Sequence, residues 1–131
     1  MKYVVKLKDL IADKAMNEEK GFTRMALSWV FTDKNVPVTQ CAVGYSNKEP
    51  GGTHVLHLHR NAEEIIIMLK GRAMQIVGDD EFEIEAGDCV FIPKNVVHSQ
   101  RALEPVETIF IYVGATNLEV TGYELVQKVT G

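Results

Sequence analysis

The stretch 51–71, GGTHVLHLHRNAEEIIIMLKG, decides how the rest of the chain is read. His57 and His59 stand two apart, Glu64 follows five residues after His59, and a block of branched apolar residues runs on to Gly71. Side chains two apart on a strand share a face, so the two imidazoles project together into whatever that face encloses. Further on, His98 follows Gly87 and Pro93 in the context of a strand leaving a turn. Three of the four histidines then converge with a carboxylate, which is the pattern of a metal site. The fourth, His54, lies three residues before His57.

Working outward, the row from Phe22 to Phe31 (FTRMALSWVF) has the β-branched and aromatic content of a strand, and Thr32–Asn35 supplies a turn. A second run, Val38 to Tyr45, is expected to stop at SNKEPGG, a loop rich in turn formers that delivers the chain into the histidine strand. After Glu64, Ile66 and Met68 share its face, while Ile65, Ile67 and Leu69 line the other. With both faces apolar, the strand calls for cover on both sides, by a second sheet or a partner chain. Gly78-Asp79-Asp80 marks a hairpin. Strands follow at Cys89–Pro93, from His98, at Glu107–Val113 and at Tyr123–Val129. Near the start, Leu7–Met16 has the spacing of a short helix or turn. Eight or nine short strands with regular turns predict an all-β sandwich or barrel rather than alternating β-α units.

The 131 residues make one domain the simplest organisation, and such a chain buries roughly two thirds of the surface its unfolded form exposes. Hydrophobic residues at 46% and charged ones at 24% suit a globular protein, and a net charge of -4 offers no broad basic field. Nucleic acid and anionic membrane surfaces are therefore not the expected partners, and a small molecule is. The amino terminus MKYVVKLKDL has lysines throughout and no uninterrupted apolar segment, which points to a cytoplasmic protein. Cys41 and Cys89 are read as reduced, inward-facing core residues.

These residues resemble a cupin, specifically a small single-domain member of the conserved-barrel type. The first cupin motif, G-x5-H-x-H-x3,4-E-x6-G, is met throughout by Gly51, His57, His59, Glu64 and Gly71. The second, G-x5-P-x-G-x2-H-x3-N, is followed in spacing by Gly87, Pro93 and His98. Asn95 replaces its inner glycine and Ala102 its closing asparagine. Asn tolerates the left-handed backbone a tight turn would need there. The resemblance covers residues 50–102 directly and, through the strand count, the whole of 1–131. It implies a double-stranded β-helix, or jelly roll.

The resemblance also implies metal-ligand roles for His57, His59, Glu64 and His98. The chemistry agrees: three imidazoles and one carboxylate suit a divalent transition metal (Fe, Mn, Ni, Zn, Co or Cu) and suit Ca or Mg poorly. Four protein ligands on a six-coordinate ion leave two positions for a substrate or dioxygen. Gln100, on the face of His98, is a candidate substrate contact, as are His54 and Met68. An unbroken strand points His54 away from the site, unless a bulge near Gly51-Gly52 reverses it. No catalytic residue is assigned. The expected function is a metal-dependent enzyme acting on a small oxygen-rich substrate. Oxygenase-like chemistry is preferred over decarboxylase, isomerase or lyase chemistry, because no spare acid or base is conspicuous apart from Glu63 and His54. The alternative is a cupin that binds a sugar or acid without catalysis. The apolar Ile65, Ile67 and Leu69 predict a homodimer.

Overall fold

The computed structural model describes residues 3–10 and 22–126. Nine strands run through them: β1 (Phe22–Phe31), β2 (Cys41–His59), β3 (Glu63–Lys70), β4 (Arg72–Val77), β5 (Asp80–Glu85), β6 (Cys89–Ile92), β7 (His98–Ala102), β8 (Val106–Val113) and β9 (Tyr123–Leu125). Every pairing is antiparallel, in the order β5-β4-β7-β2-β8-β3-β6, with β1 and β9 also on β2. This is the all-β jelly roll the sequence led to.

The long strand β2 joins the two halves. Its first part, Cys41 to Lys48, pairs with β8, and its last part, Thr53 to His59, pairs with β7 and β9. The change of partner falls at residues 49–52, where Gly51 takes a φ of +82°. On the β1 side, Met25 faces Lys48 and Thr23 faces Thr53, so those four residues stand opposite Arg24 alone. The sheet turns there and encloses its own inner face.

Alternation fills that interior. Val106, Thr108, Phe110 and Tyr112 of β8 and Glu64, Ile66 and Met68 of β3 point inward, as do Ala42, Ser46 and Lys48 of β2. The core packs Phe22, Leu27, Ile66, Met68, Ile92 and Phe110 together. Gly44 makes room for one ring, since a Cβ there would sit 2.0 Å from Phe110 Cζ.

Two expectations need correction, and two more are met only in part within the described residues. The segment SNKEPGG is strand rather than loop, because Ser46 and Lys48 alternate inward against a polar interior that hydropathy cannot see. Pro50 is accommodated where β2 pairs with neither β8 nor β7. Cys89 is exposed and Cys41 half-buried, both free, so neither is a core residue; they lie on the outer face of their strands. The amino-terminal helix is one 3-10 turn at Leu7–Asp9, and Ile11–Met16 lies outside the described residues. The last strand is described only over Tyr123–Leu125.

Candidate metal centre

His57 and His59 lie on β2, Glu64 on β3 and His98 on β7; all four are buried. Each offers one ligand atom to a cluster in which those atoms lie within 4.8 Å of one another. The register explains the meeting of distant residues: His57 pairs directly with His98, and Glu64 follows β2 after a tight turn at residues 60–62. Asn95, at φ +66°, donates its backbone N–H to His59 O at 2.9 Å, so the turn preceding His98 is fastened to the histidine strand.

Hydrogen bonds on the far side of each ring fix which nitrogen faces the cluster. His57 Nδ1 donates to Val55 O at 2.6 Å and His98 Nδ1 to Val96 O at 3.0 Å. Thr121 spends its hydroxyl proton on Leu118 O at 2.7 Å, so its oxygen accepts from His59 Nδ1 at 3.3 Å. With Nδ1 holding the proton, each Nε2 presents a lone pair. Glu64 Oε1 lies 3.2 Å from His98 Nε2 and 3.3 Å from His59 Nε2. The His59 pair is misaligned for a hydrogen bond, and His59 Nε2 is buried without a hydrogen-bond partner among the described residues. Lone pairs aimed at a carboxylate repel unless a cation stands between them. The residues therefore fit a divalent transition metal, whose typical ligands are imidazole and carboxylate.

Electrostatics point the same way. Burial, and after it the charges of His54 and His98, push His57 well below its ordinary value, so it stays neutral and able to ligate.

The cluster opens on a small cavity of about 40 Å³. His54, His57, Glu64, His98 and Gln100 line it, with Lys48, Gln75 and Tyr112 and an apolar wall that includes Met25, Ile66 and Phe110. His54 is inside, contrary to its parity on an unbroken strand. Two pairs, His54 with Gln100 and His57 with His98, leave Val55 and Leu56 opposite Ser99 alone. That bulge turns His54 to the face of His57, with ring centroids 3.5 Å apart, and its Nε2 lies 2.9 Å from Tyr123 Oη. Met68 is fully buried in the core, behind the residues that line the cavity. Glu63 sits half-buried on the opposite face of its strand from Glu64.

Lys48, Gln75, Thr121 and Tyr123 were not singled out from the sequence. Lys48 is only 7% exposed, and burial pulls its ammonium down to about 8 against the opposing charge of Glu64. Its inward position was readable only from the alternation Ala42, Gly44, Ser46, Lys48, had that alternation been carried past Tyr45.

A family model described as a cupin domain matches residues 45–113. An uncharacterized protein of Methanocaldococcus jannaschii is 35% identical over 48 residues, which span 37% of this chain and 38% of that protein. Among solved structures, the polyketide cyclase RemF of Streptomyces resistomycificus superposes with a TM-score of 0.80 at 16% identity, over 99% of this chain and 89% of its own. A predicted oxalate decarboxylase of Thermotoga maritima gives 0.73 at 18% identity, covering 84% and 97%. Bacillus subtilis oxalate decarboxylase gives 0.73 at 22% identity, over 92% of this chain but 32% of its own. At these identities the structures speak for the fold.

Proposed function

From the premise that this chain belongs to the cupin-domain family, we propose that it is a metal-dependent enzyme acting on a small oxygen-rich substrate. One observation carries the reading: three Nε2 lone pairs, their Nδ1 protons already committed, meet a buried carboxylate within 4.8 Å. His57, His59, Glu64 and His98 would hold the ion. Bound there, a divalent transition metal would supply Lewis acidity and, if redox-active, electrons for dioxygen. The chain's own residues do the rest. Val55 O, Val96 O and Thr121 Oγ1 orient the imidazoles, Ile66 and Phe110 keep the cavity wall dry, and His54 and Lys48 stand where a proton can be held.

Oxygenase-like chemistry is the first form of the reading. It rests on the lack of a spare acid or base, and Lys48 and His54 in the cavity lining count against that and favour a second form. In that form the reaction is non-redox, of the decarboxylase, isomerase or lyase type, with a side chain moving the proton. The neighbouring folds named as decarboxylases and a cyclase are compatible with it. Elemental analysis of protein purified without chelator, then oxygen uptake over diketones, catechols and keto acids, tests both. Retained metal with substrate-dependent oxygen uptake supports the first form, and turnover without uptake supports the second. Protein that never retains a transition metal would sink the reading.

The protein's proposed setting is the cytoplasm, in keeping with the lysines spread through its amino-terminal stretch; separately, no described helix is long and apolar enough to cross a membrane. The same proposal makes the protein a homodimer. Across four strands, Val43, Ile111, Ile65 and Phe91 form one outward row and Tyr45, Ile109, Ile67 and Cys89 the next. Phe91 is 54% exposed and Leu69 44%. Sedimentation should show a dimer that Phe91→Glu splits to monomer, and a monomeric wild type would refute the pairing.

A further inference from the structure

Lys48 is a buried cation that forms no direct ion pair among the described residues. Among those residues its ammonium donates one hydrogen bond, to Gln100 Oε1 at 2.7 Å. Gln100 can offer only its carbonyl there, because its Nε2 donates to Gln75 Oε1 at 3.0 Å and Gln75 Nε2 donates onward to Ile76 O at 3.3 Å. The amides are thus locked in one orientation, with an acceptor turned to Lys48. An ammonium carries three donors, so two remain. Ser46, His54, Glu64 and Tyr112 line the same cavity beside the apolar Met25 and Phe110, but none of them accepts a hydrogen bond from the ammonium.

A lone buried ammonium is a costly feature, and an apolar side chain of its length would fill the position more cheaply. Glu64 is the negative charge that acts on it, but with a divalent ion at the cluster that single carboxylate would face both the ion and Lys48. The cavity would then carry a positive excess. Its volume, about 40 Å³ where one water needs roughly 10–15 Å³, limits the occupant to a few heavy atoms inside.

We propose that Lys48, held by Gln100 and Gln75, forms an anion subsite that takes the carboxylate of a small oxygenated acid, whose second oxygen faces the His57, His59, Glu64 and His98 cluster. The carboxylate contact depends only on Lys48; the role of the second oxygen rests on the metal reading. Lys48 is the substrate-binding residue, and Gln100 and Gln75 are positioning residues.

Calorimetric titration of the full chain, metal-free and after loading with Mn(II) or Zn(II), tests this with pyruvate and glycolate against the uncharged pyruvamide and glycolamide. Wild type should bind the acids roughly tenfold more tightly than the amides, the size expected of a charge-assisted contact. Lys48→Met should abolish that preference and Lys48→Arg should keep part of it, with metal content unchanged in both. Should Lys48→Met fold poorly, Lys48→Gln serves with the same expectation. Equal binding of acids and amides by wild type, or an acid preference that survives Lys48→Met or Lys48→Gln, overturns the subsite. Elemental analysis of the same samples separates the two readings. Retained metal without acid preference defeats the subsite alone, whereas Lys48-dependent acid binding in a protein that holds no metal defeats the metal reading alone.

Discussion

The cavity has two polar ends that are incomplete in opposite senses. At the histidine end, three Nε2 lone pairs and a carboxylate crowd together, and His59 Nε2 has no hydrogen-bond partner among the described residues. At the lysine end, a chain of amides ends on an ammonium with donors to spare. Both ends are built from inward positions of the same strands, β2 and β7. Folded proteins rarely bury polar groups unpaired, so two deficits of opposite sign in one cavity point to a cation for one end and an anion for the other.

The histidine end is broken most directly at one of the four residues that would hold the ion. His57→Ala should weaken binding of Zn(II) or Mn(II) by more than the roughly 100-fold that loss of a supporting partner costs. Competition with a chelating dye measures it, and near wild-type affinity would show that the four residues do not act together. Thr121→Val tests the supporting layer. With the acceptor for His59 Nδ1 gone, affinity should fall about 10–100-fold while the fold persists. Gly44→Ala is the control on the apolar wall, since its Cβ would press on Phe110. It should cost about 1–3 kcal/mol in denaturant unfolding and leave metal affinity nearly unchanged once folded.

The pH dependence of stability separates the two ends by window. Burial holds His54 and His57 well below 6.5, so beneath that value the unfolded chain binds more protons and the metal-free protein loses stability as pH falls. Lys48 is held at about 8 against 10.5, so between those values the unfolded chain again binds more protons and stability rises with pH. The slope in either window is about 1.4 kcal/mol per pH unit for each group at most. Lys48→Met should flatten the upper window in thermal melts and leave the acid limb in place. A flattened acid limb instead would mean the two ends are coupled.

What the row of residues revealed and what it hid differ for physical reasons. His57 and His59 were legible from two-residue alternation, and Glu64 and His98 joined them through the resemblance to the cupin motifs that Gly51, Gly71, Gly87 and Pro93 bracket. Asn95 was legible too, since a left-handed turn admits few residues, and its φ is +66°. Lys48 was hidden among turn formers, because an inward lysine resembles an exposed one until the opposing wall is known. His54 was hidden by one extra residue in the ladder, a bulge that no propensity announces. Cys89 misled in the other direction, since no described residue covers the outer face of its strand.

The sequence by itself determined an all-β chain of short strands, from periodicity and turn chemistry, and its resemblance to the cupin motifs supplied the jelly roll and the ligand roles of the four converging side chains. Only the tertiary structure decided which ring nitrogen faces inward, that His54 joins the cavity, and that a lysine stands there with Gln100. Those outcomes depend on strand register and on hydrogen bonds between residues as far apart as His59 and Thr121, which are set when the sheet closes on itself.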